Sequence, residues 1–451
     1  MRWAFACSAT CRRSPTRLRT EAVVRRRRNR AEHPPIAAAL LTALAALAAC
    51  VSCGSCGAPP EARAHSISLN GHDDSDLQFL RALIADRRVV QLGEGGHGVA
   101  EFNRVKARLV EFLHRELGFD VLAFEGSPYQ CFLADGNAAS WPAKTTLFSC
   151  PFGVWHTEEL LPLFEYIRGT HQGERPLHLA GFDVQPIGWN KKGRPDFLGD
   201  ALPPGDPATA EEIRRLDREF LDAYSLEAKA RREFFARDGQ RFIEGYHRVA
   251  TLLSDSPDPR ASVARQTARS MARFVRRQMA LPDMRAYVEI RDEGMADNVD
   301  FLLDELYPDR RLIVWAHNFH VRHDNSAIPP VEGVFPGVTV RTMGEWLAER
   351  RRDDLYTIGL YAYTGSALNN RGEPYEIEEP APTTLEGVMH SLGSGVVFVD
   401  LSAAERHERT NWMFEEIIAR YNGSDEIRLV PRDQYDGLLL VDLATPRKAL
   451  E

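Results

Sequence analysis

The sequence predicts an α/β fold: a mainly parallel sheet covered by helices on both faces, with a helical insertion. Three observations carry that prediction. Short apolar runs alternate with helix-period segments over most of the chain, the pattern of strands joined by covering helices. Residues from about 207 to 306 interrupt the alternation with charged, helix-period sequence almost free of β-branched clusters. Four of the apolar runs end in ionisable residues, and open α/β sheets hold their chemistry at the carboxyl ends of their strands.

The chain opens on an address rather than a fold. Residues 1–35 carry ten arginines against Glu21 and Glu32, a local balance of +8; the formal charge is −8 overall, so the chain from Cys50 onward stands at −16. An acidic body argues against a nucleic-acid partner, whose phosphates require lysine and arginine. Ile36–Ala49 is an uncharged run rich in alanine and leucine, too short to span a bilayer and suited to a signal-peptide core. It ends Leu47-Ala48-Ala49-Cys50, which resembles the bacterial lipoprotein signal. That resemblance implies a lipid on Cys50, with a secretory signal cleaved nearby as the alternative. The expected domains are a signal peptide at 1–49, a flexible tether at 50–66 and a catalytic domain at 67–451, on an exported, membrane-anchored protein. Of seven cysteines, Cys7 and Cys11 leave with the signal and Cys53 and Cys56 lie in the tether. Only Cys131 and Cys150 fall in the body, and export favours a disulfide between them.

Asp73–Ala85 reads as a helix, with Asp-Asp-Ser suited to capping and Leu77, Leu80 and Ile84 on one face. Val89–Leu92 reads as a buried strand. A turn follows, Gly93-Glu-Gly-Gly-His-Gly98, whose glycines permit a tight bend and close approach to a ligand. Val99, Phe102, Val105, Leu109, Phe112, Leu113 and Leu117 then mark a helix. Val121–Phe124 is a second strand, Ser127–Pro151 reads as irregular, Glu158–Arg168 as a helix and Leu177–Phe182 as a third strand. Residues 186–206 read as a loop. The insertion reads as three or four helices, broken near Ser254–Pro259 and at Pro282, with Arg269–Arg277 on a solvated helix face. Strand signals return at Leu312–Trp315, Leu355–Leu360, Val396–Val399 and Leu438–Val441, with a helix at Met343–Arg351.

The ionisable strand ends are Glu94 with His97, Glu125, Asp183, and His317 followed by His320 and His323. In a parallel sheet all carboxyl ends share one edge, so groups remote in sequence converge there. His323, beside Asp324 and Asn325, reads as a solvated residue. The chain has no G-x-S-x-G elbow, no phosphate-binding P-loop and no H-E-x-x-H helix. Hydrolysis by an activated water is therefore the economical chemistry.

These residues carry a resemblance. Leu92-Gly-Glu-Gly-Gly-His-Gly98 with Glu101-Phe102 and Arg104, Ala123-Phe-Glu-Gly126 and Gly181-Phe-Asp183 resemble the erythromycin esterase family. So do Arg291-Asp292 with Met295-Ala296 and Asn298, and Trp315-Ala-His-Asn-Phe-His-Val321. Met343-Gly-Glu-Trp-Leu347, Thr357-Ile-Gly-Leu360 and Tyr435-Asp-Gly-Leu438 extend the likeness over roughly residues 75–448. The resemblance implies an α/β core with a helical insertion and hydrolysis of a carboxylic ester or lactone by direct water attack. It implies His97 as base, Glu94 orienting it, and Glu125 as a second carboxylate in the pocket. His317 and His320 would polarise the carbonyl or protonate the leaving oxygen, Arg104 and Arg291 would be supporting donors, and Asp183 a scaffold or proton-relay residue. No cofactor is expected. The competing arrangements are a divalent metal on Glu94, His97, His317 and His320, and a surface binding protein without chemistry. The leader and the Cys131/Cys150 pair set the chain apart from what is expected of macrolide-resistance enzymes.

Overall fold

The computed structural model describes residues 64–450, apart from 70, 72, 187, 188, 203, 204 and 331–336. The expected signal peptide, the Cys50 lipid site, Cys53 and Cys56 lie outside the described residues.

The strands that build the main sheet are β1 (Ala64–Ile67), β2 (Val89–Leu92), β3 (Phe119–Phe124), β4 (His178–Gly181), β5 (Arg311–Trp315), β6 (Leu355–Leu368), β7 (Pro374–Ile377), β8 (Val396–Asp400) and β11 (Gly437–Ala444). β9 (Ile417–Tyr421) and β10 (Asp425–Leu429) form a separate hairpin. The sheet runs β1-β8-β11-β6-β2-β5-β3-β4, with β7 on the far half of β6. From β11 through β4 six strands are parallel, and β8 and β1 close one edge antiparallel. The fold is the expected α/β arrangement.

Burial on both sides explains why the central strands lack a polar face. Val89, Val121, Ala123, Leu312 and Val314 enter the core on one face; Val90, Leu92, Leu122, Phe124, Ile313 and Trp315 enter the core on the other. The helix Ala100–Leu117 covers the second face through Phe102, Val105, Leu109 and Phe112, and stops at Gly118, whose φ of 72° suits glycine. Residues 207–306 fold as the helices Pro207–Tyr224, Ala228–Leu252, Pro259–Ala280 and Met284–Phe301, then a π turn. Phe220, Phe235, Phe242 and Phe274 interlock at their centre, each burial contributing roughly 1.5–3 kcal/mol.

Several expectations are corrected. Ser127–Pro151 is not irregular: Pro128–Asn137 and Ala143–Ser149 are helices, too short for periodicity to declare, the first starting at a proline in its first turn. Residues 186–206 include the helix Arg194–Asp200, anchored by Arg194, which is fully buried on Asp217. Residues 64–66, expected in the tether, belong to a strand, since Ala64–Ile67 pairs with β8. β6 runs to Leu368; Gly365, with φ 120°, pairs with both β11 and β7, and a Cβ there would collide with the Ala444 carbonyl. The Arg269–Arg277 stretch is not simply a solvated face, since Arg277 is buried.

Candidate active site

Glu94 follows β2 and is buried. Its Oε1 lies 2.6 Å from His97 Nδ1 and accepts from Trp155 Nε1 at 2.9 Å, while Oε2 accepts from Lys106 Nζ at 2.7 Å. Three of the roughly four acceptor sites of this carboxylate are thus used, both of those on Oε1. Burial alone would raise its pKa, but Lys106 and His97 outweigh burial and hold it below the usual carboxylate range. Lys106 is fully enclosed, 4.2 Å from the Trp315 ring centroid, and burial pushes it down to about 8 against the pull of Glu94. The glycines of this turn are needed for close approach to protein, not for left-handed backbone. A Cβ at Gly93 would collide with Asn318 Oδ1, and one at Gly98 with the Leu368 carbonyl. With Nδ1 engaged by Glu94, His97 is left with Nε2 for a ligand in the cavity it lines.

The neighbouring strand ends supply the facing wall. β2, β5, β3 and β4 are consecutive in the sheet, with Leu92 and Phe124 both level with Trp315, and Phe124 level with Gly181. His317 is buried, its Nδ1 accepting from the Phe319 amide at 3.1 Å and its Nε2 3.2 Å from Asn422 Oδ1. That pattern places the proton on Nε2. Burial, reinforced by the charges of His97, His320 and Arg322, holds its pKa well below the ordinary imidazole value. His317 is therefore a neutral donor, its ring centroid 5.1 Å from that of His97. Glu125 accepts from the His317 amide at 3.1 Å and from Arg291 Nη2 at 3.2 Å. Asp183 receives Arg291 through Nε and Nη2 at 3.2 and 2.6 Å, and Arg291 outweighs burial in keeping it ionised.

His320 differs from the expectation that it polarises the carbonyl or protonates the leaving oxygen. Its Nδ1 is 2.6 Å from Asp292 Oδ1 and its Nε2 3.0 Å from Arg291 Nη1, so both nitrogens are engaged within the protein. It orients Arg291. Two other expectations are corrected. Arg104 pairs with Glu101, one turn away, is substantially exposed, and does not line the cavity: on this helix it lies outside the buried stripe. His323 is buried, 2.8 Å from Thr357 Oγ1, and burial lowers its pKa to about 4.

The cavity encloses about 710 Å³ and is lined by His97, Glu125, Arg291, His317 and His320, together with Asn422 and Tyr421 from the β9–β10 hairpin. Sequence reading missed Lys106, Trp155, Asp292 as a partner of His320, and Asn422. Lys106 left a signal: it interrupts the apolar stripe of its helix one turn after Phe102. Asn422 left one too, as an Asn-Gly pair, and it adopts φ 53° at the hairpin turn.

The competing metal arrangement does not fit this donor set. Glu94 is consumed by a lysine and an indole, and His320 has a guanidinium on the nitrogen a metal would need. Among the described residues the group spaced for a metal is Asp135, His171 and His178, away from this cavity. There His171 Nε2 also faces the Leu177 carbonyl at 3.0 Å and Asp135 accepts from the Leu179 amide, so those groups already satisfy one another.

Residues 114–444 match the erythromycin esterase family. The chain belongs to the erythromycin esterase family. The matched residues include Glu125, Asp183, Arg291, His317 and His320, while Glu94 and His97 precede them. YbfO of Bacillus subtilis (strain 168), provisionally described as a hydrolase, is 29% identical over 408 residues, covering 86% of this chain and 90% of that one. Erythromycin esterase type II of Escherichia coli is 22% identical over 369 residues, covering 73% and 85%. Among solved structures, a succinoglycan biosynthesis protein superposes with TM-score 0.72 at 18% identity, covering 86% of this chain and 96% of that one. A Bacillus cereus protein gives 0.69 at 19%, covering 86% and 94%. A mutant of erythromycin esterase EreC in its open conformation gives 0.59 at 19%, covering 83% and 95%. The solved structures share the fold; family membership and the curated relatives make this protein a hydrolase.

Proposed function

We propose that the protein hydrolyses a carboxylic ester or lactone by direct attack of a water that His97 activates. One observation carries this reading: His97 has Nδ1 fixed on a buried, ionised Glu94 and Nε2 free for the cavity, opposite a neutral histidine donor. In the forward step His97 Nε2 takes a proton from water as the water oxygen bonds to the carbonyl carbon. The carbonyl oxygen gains the displaced electron pair, and His317 Nε2–H is the donor suited to it, exchanging Asn422 Oδ1, a neutral partner at 3.2 Å, for the oxyanion. Glu94 offsets the charge of the imidazolium so formed, the role a carboxylate plays beside a catalytic imidazole. The C–O bond then breaks, and the departing alkoxide takes the proton from His97 Nε2, leaving acid, alcohol and neutral histidine. Arg291, braced by Asp183, Glu125 and His320, supplies fixed positive charge beside the reacting group.

The substrate is a small ester or lactone rather than a nucleic acid, and the leader motif supports export with a lipid anchor on Cys50. Labelled fatty acid taken up by the parent but not by Cys50→Ala is the expected result for the anchor. For the reaction, the full chain meets a panel of macrolides, simpler lactones and acyl esters, with mass spectrometry following the products. Addition of one water across an ester bond supports the proposal. Amide cleavage with every ester intact, or activity that appears only on adding metal, contradicts it.

A further inference from the structure

The cavity that holds His97 carries cations the proposed chemistry does not use. Arg277, delivered by the helix Pro259–Ala280, lines it and is only 9% exposed. Its Nε donates to the Tyr287 carbonyl at 3.1 Å, its Nη1 to Gln185 Oε1 at 3.0 Å, and its guanidinium lies 3.9 Å from the Tyr287 ring centroid. All of these partners are neutral. Among the described residues no carboxylate lies within ion-pair distance of Arg277, in contrast with Arg194 on Asp217 and Arg291 on Asp183. Burial and the neighbouring Arg291 charge both pull its pKa below the ordinary guanidinium value. Arg447 and the exposed Arg371 line the same cavity, likewise without an ion-paired carboxylate among the described residues, and Arg447 Nε is buried with no hydrogen bond. Of the two carboxylates on the wall, Glu125 is held by Arg291 and the His317 amide, and Asp292 through Oδ1 by His320 and the Met343 amide, its Oδ2 being buried without a hydrogen bond. Asp183 and Asp292 favour the charge of Arg277 from beyond ion-pair distance, as Glu159 does that of Arg447, so an acidic protein has gathered arginines without a directly paired carboxylate in its reaction cavity.

A desolvated guanidinium without a counter-charge is unfavourable, and a ligand oxyanion answers it with charge-assisted hydrogen bonds. We propose that the substrate is an anionic ester or lactone, whose carboxylate or phosphate, away from the scissile bond, binds Arg277 in this cavity. Arg371 and Arg447 add to the attraction. This rests on the hydrolase reading and narrows it: an ester bearing an ammonium group is disfavoured.

The test uses the full chain and two readouts. Calorimetric titration with glutarate and with inorganic phosphate separates the carboxylate from the phosphate source. A set of esters sharing one scissile bond, with a distal carboxylate, phosphate, amide or ammonium, reports the preference in kcat/KM. The expected results are binding of at least one anion, weakened about tenfold or more in Arg277→Gln and partly restored in Arg277→Lys. The matching anionic ester is expected to exceed its amide by at least about tenfold, a ratio that collapses towards one in Arg277→Gln. If Arg277→Gln does not fold, Arg447→Gln replaces it, with a smaller loss expected. Hydrolysis of the amide and ammonium esters as fast as the anionic ones, with neither anion binding, overturns the anionic subsite and leaves the hydrolase. Anion binding that depends on Arg277, with no ester cleaved, keeps the subsite and removes the hydrolase. Anion binding unchanged in both variants places the anion elsewhere and overturns the proposal.

Discussion

At the scale of single residues, the site is a chain of charge balance that begins behind the histidine. Lys106 neutralises Glu94, Glu94 fixes the tautomer of His97, and Trp155 occupies the remaining lobe of Oε1. Lys106 loses its proton above about 8, so Glu94 then faces His97 without its cation. A rate that falls as pH rises through about 8 is the expected signature. In Lys106→Met the rate is lower throughout and that limb is gone, while chemical denaturation shows a loss of about 3–5 kcal/mol from the unpaired buried carboxylate. An alkaline limb unchanged in the variant would assign it to another group. The lysine was readable as a charge in an apolar stripe. That its ammonium reaches Glu94, twelve residues earlier, depends on the angle between β2 and its helix, which the spacing does not encode.

At the scale of elements, the strand ends were the legible part. Runs buried on both faces, such as Leu312–Trp315, have no polar alternation to confuse them, and the residue that ends each run is placed by the run itself. The half-exposed strands β1, β7 and β10 were not legible, because residues such as those of Asp425–Leu429 look like loop, and the short apolar run of β9 was not read as a strand beside them. The Asn422-Gly423 pair signals a turn, but without recognised strands on either side it was not read as a hairpin at the site. The short helices Pro128–Asn137 and Arg194–Asp200 are set by tertiary partners instead of by their own periodicity. Arg194 illustrates this: it meets Asp217 on the next helix through three contacts of 2.9–3.2 Å, and Tyr246 donates to the same carboxylate at 2.6 Å. Asp217→Ala leaves that guanidinium buried and unpaired. We expect a loss of about 3–5 kcal/mol in urea unfolding. Turnover per folded molecule should stay at the parent level, because neither residue lines the reaction cavity; a selective loss of rate instead would tie the pair to the site.

At the scale of the whole molecule, the sheet gathers four strand ends while the surrounding chain keeps them fixed. The disulfide contributes to this. Cys131 and Cys150 are joined, and a Cβ on Gly126, the residue after Glu125, would lie 2.9 Å from Cys131 Sγ. Closing a loop of this length stabilises the native state by about 3 kcal/mol in the chain-entropy model. Unfolding with and without reductant should differ by about that much, and two free thiols in denatured, unreduced protein would contradict the bond. The central claim, however, concerns His97. The most direct test compares His97→Ala with the parent on one ester that the parent cleaves, with and without added imidazole. The account predicts a rate at least about 10²-fold lower, stability nearly unchanged, and partial recovery with imidazole. An unchanged rate, or a rate lost only because the variant unfolds, would contradict the assignment of His97 as the base.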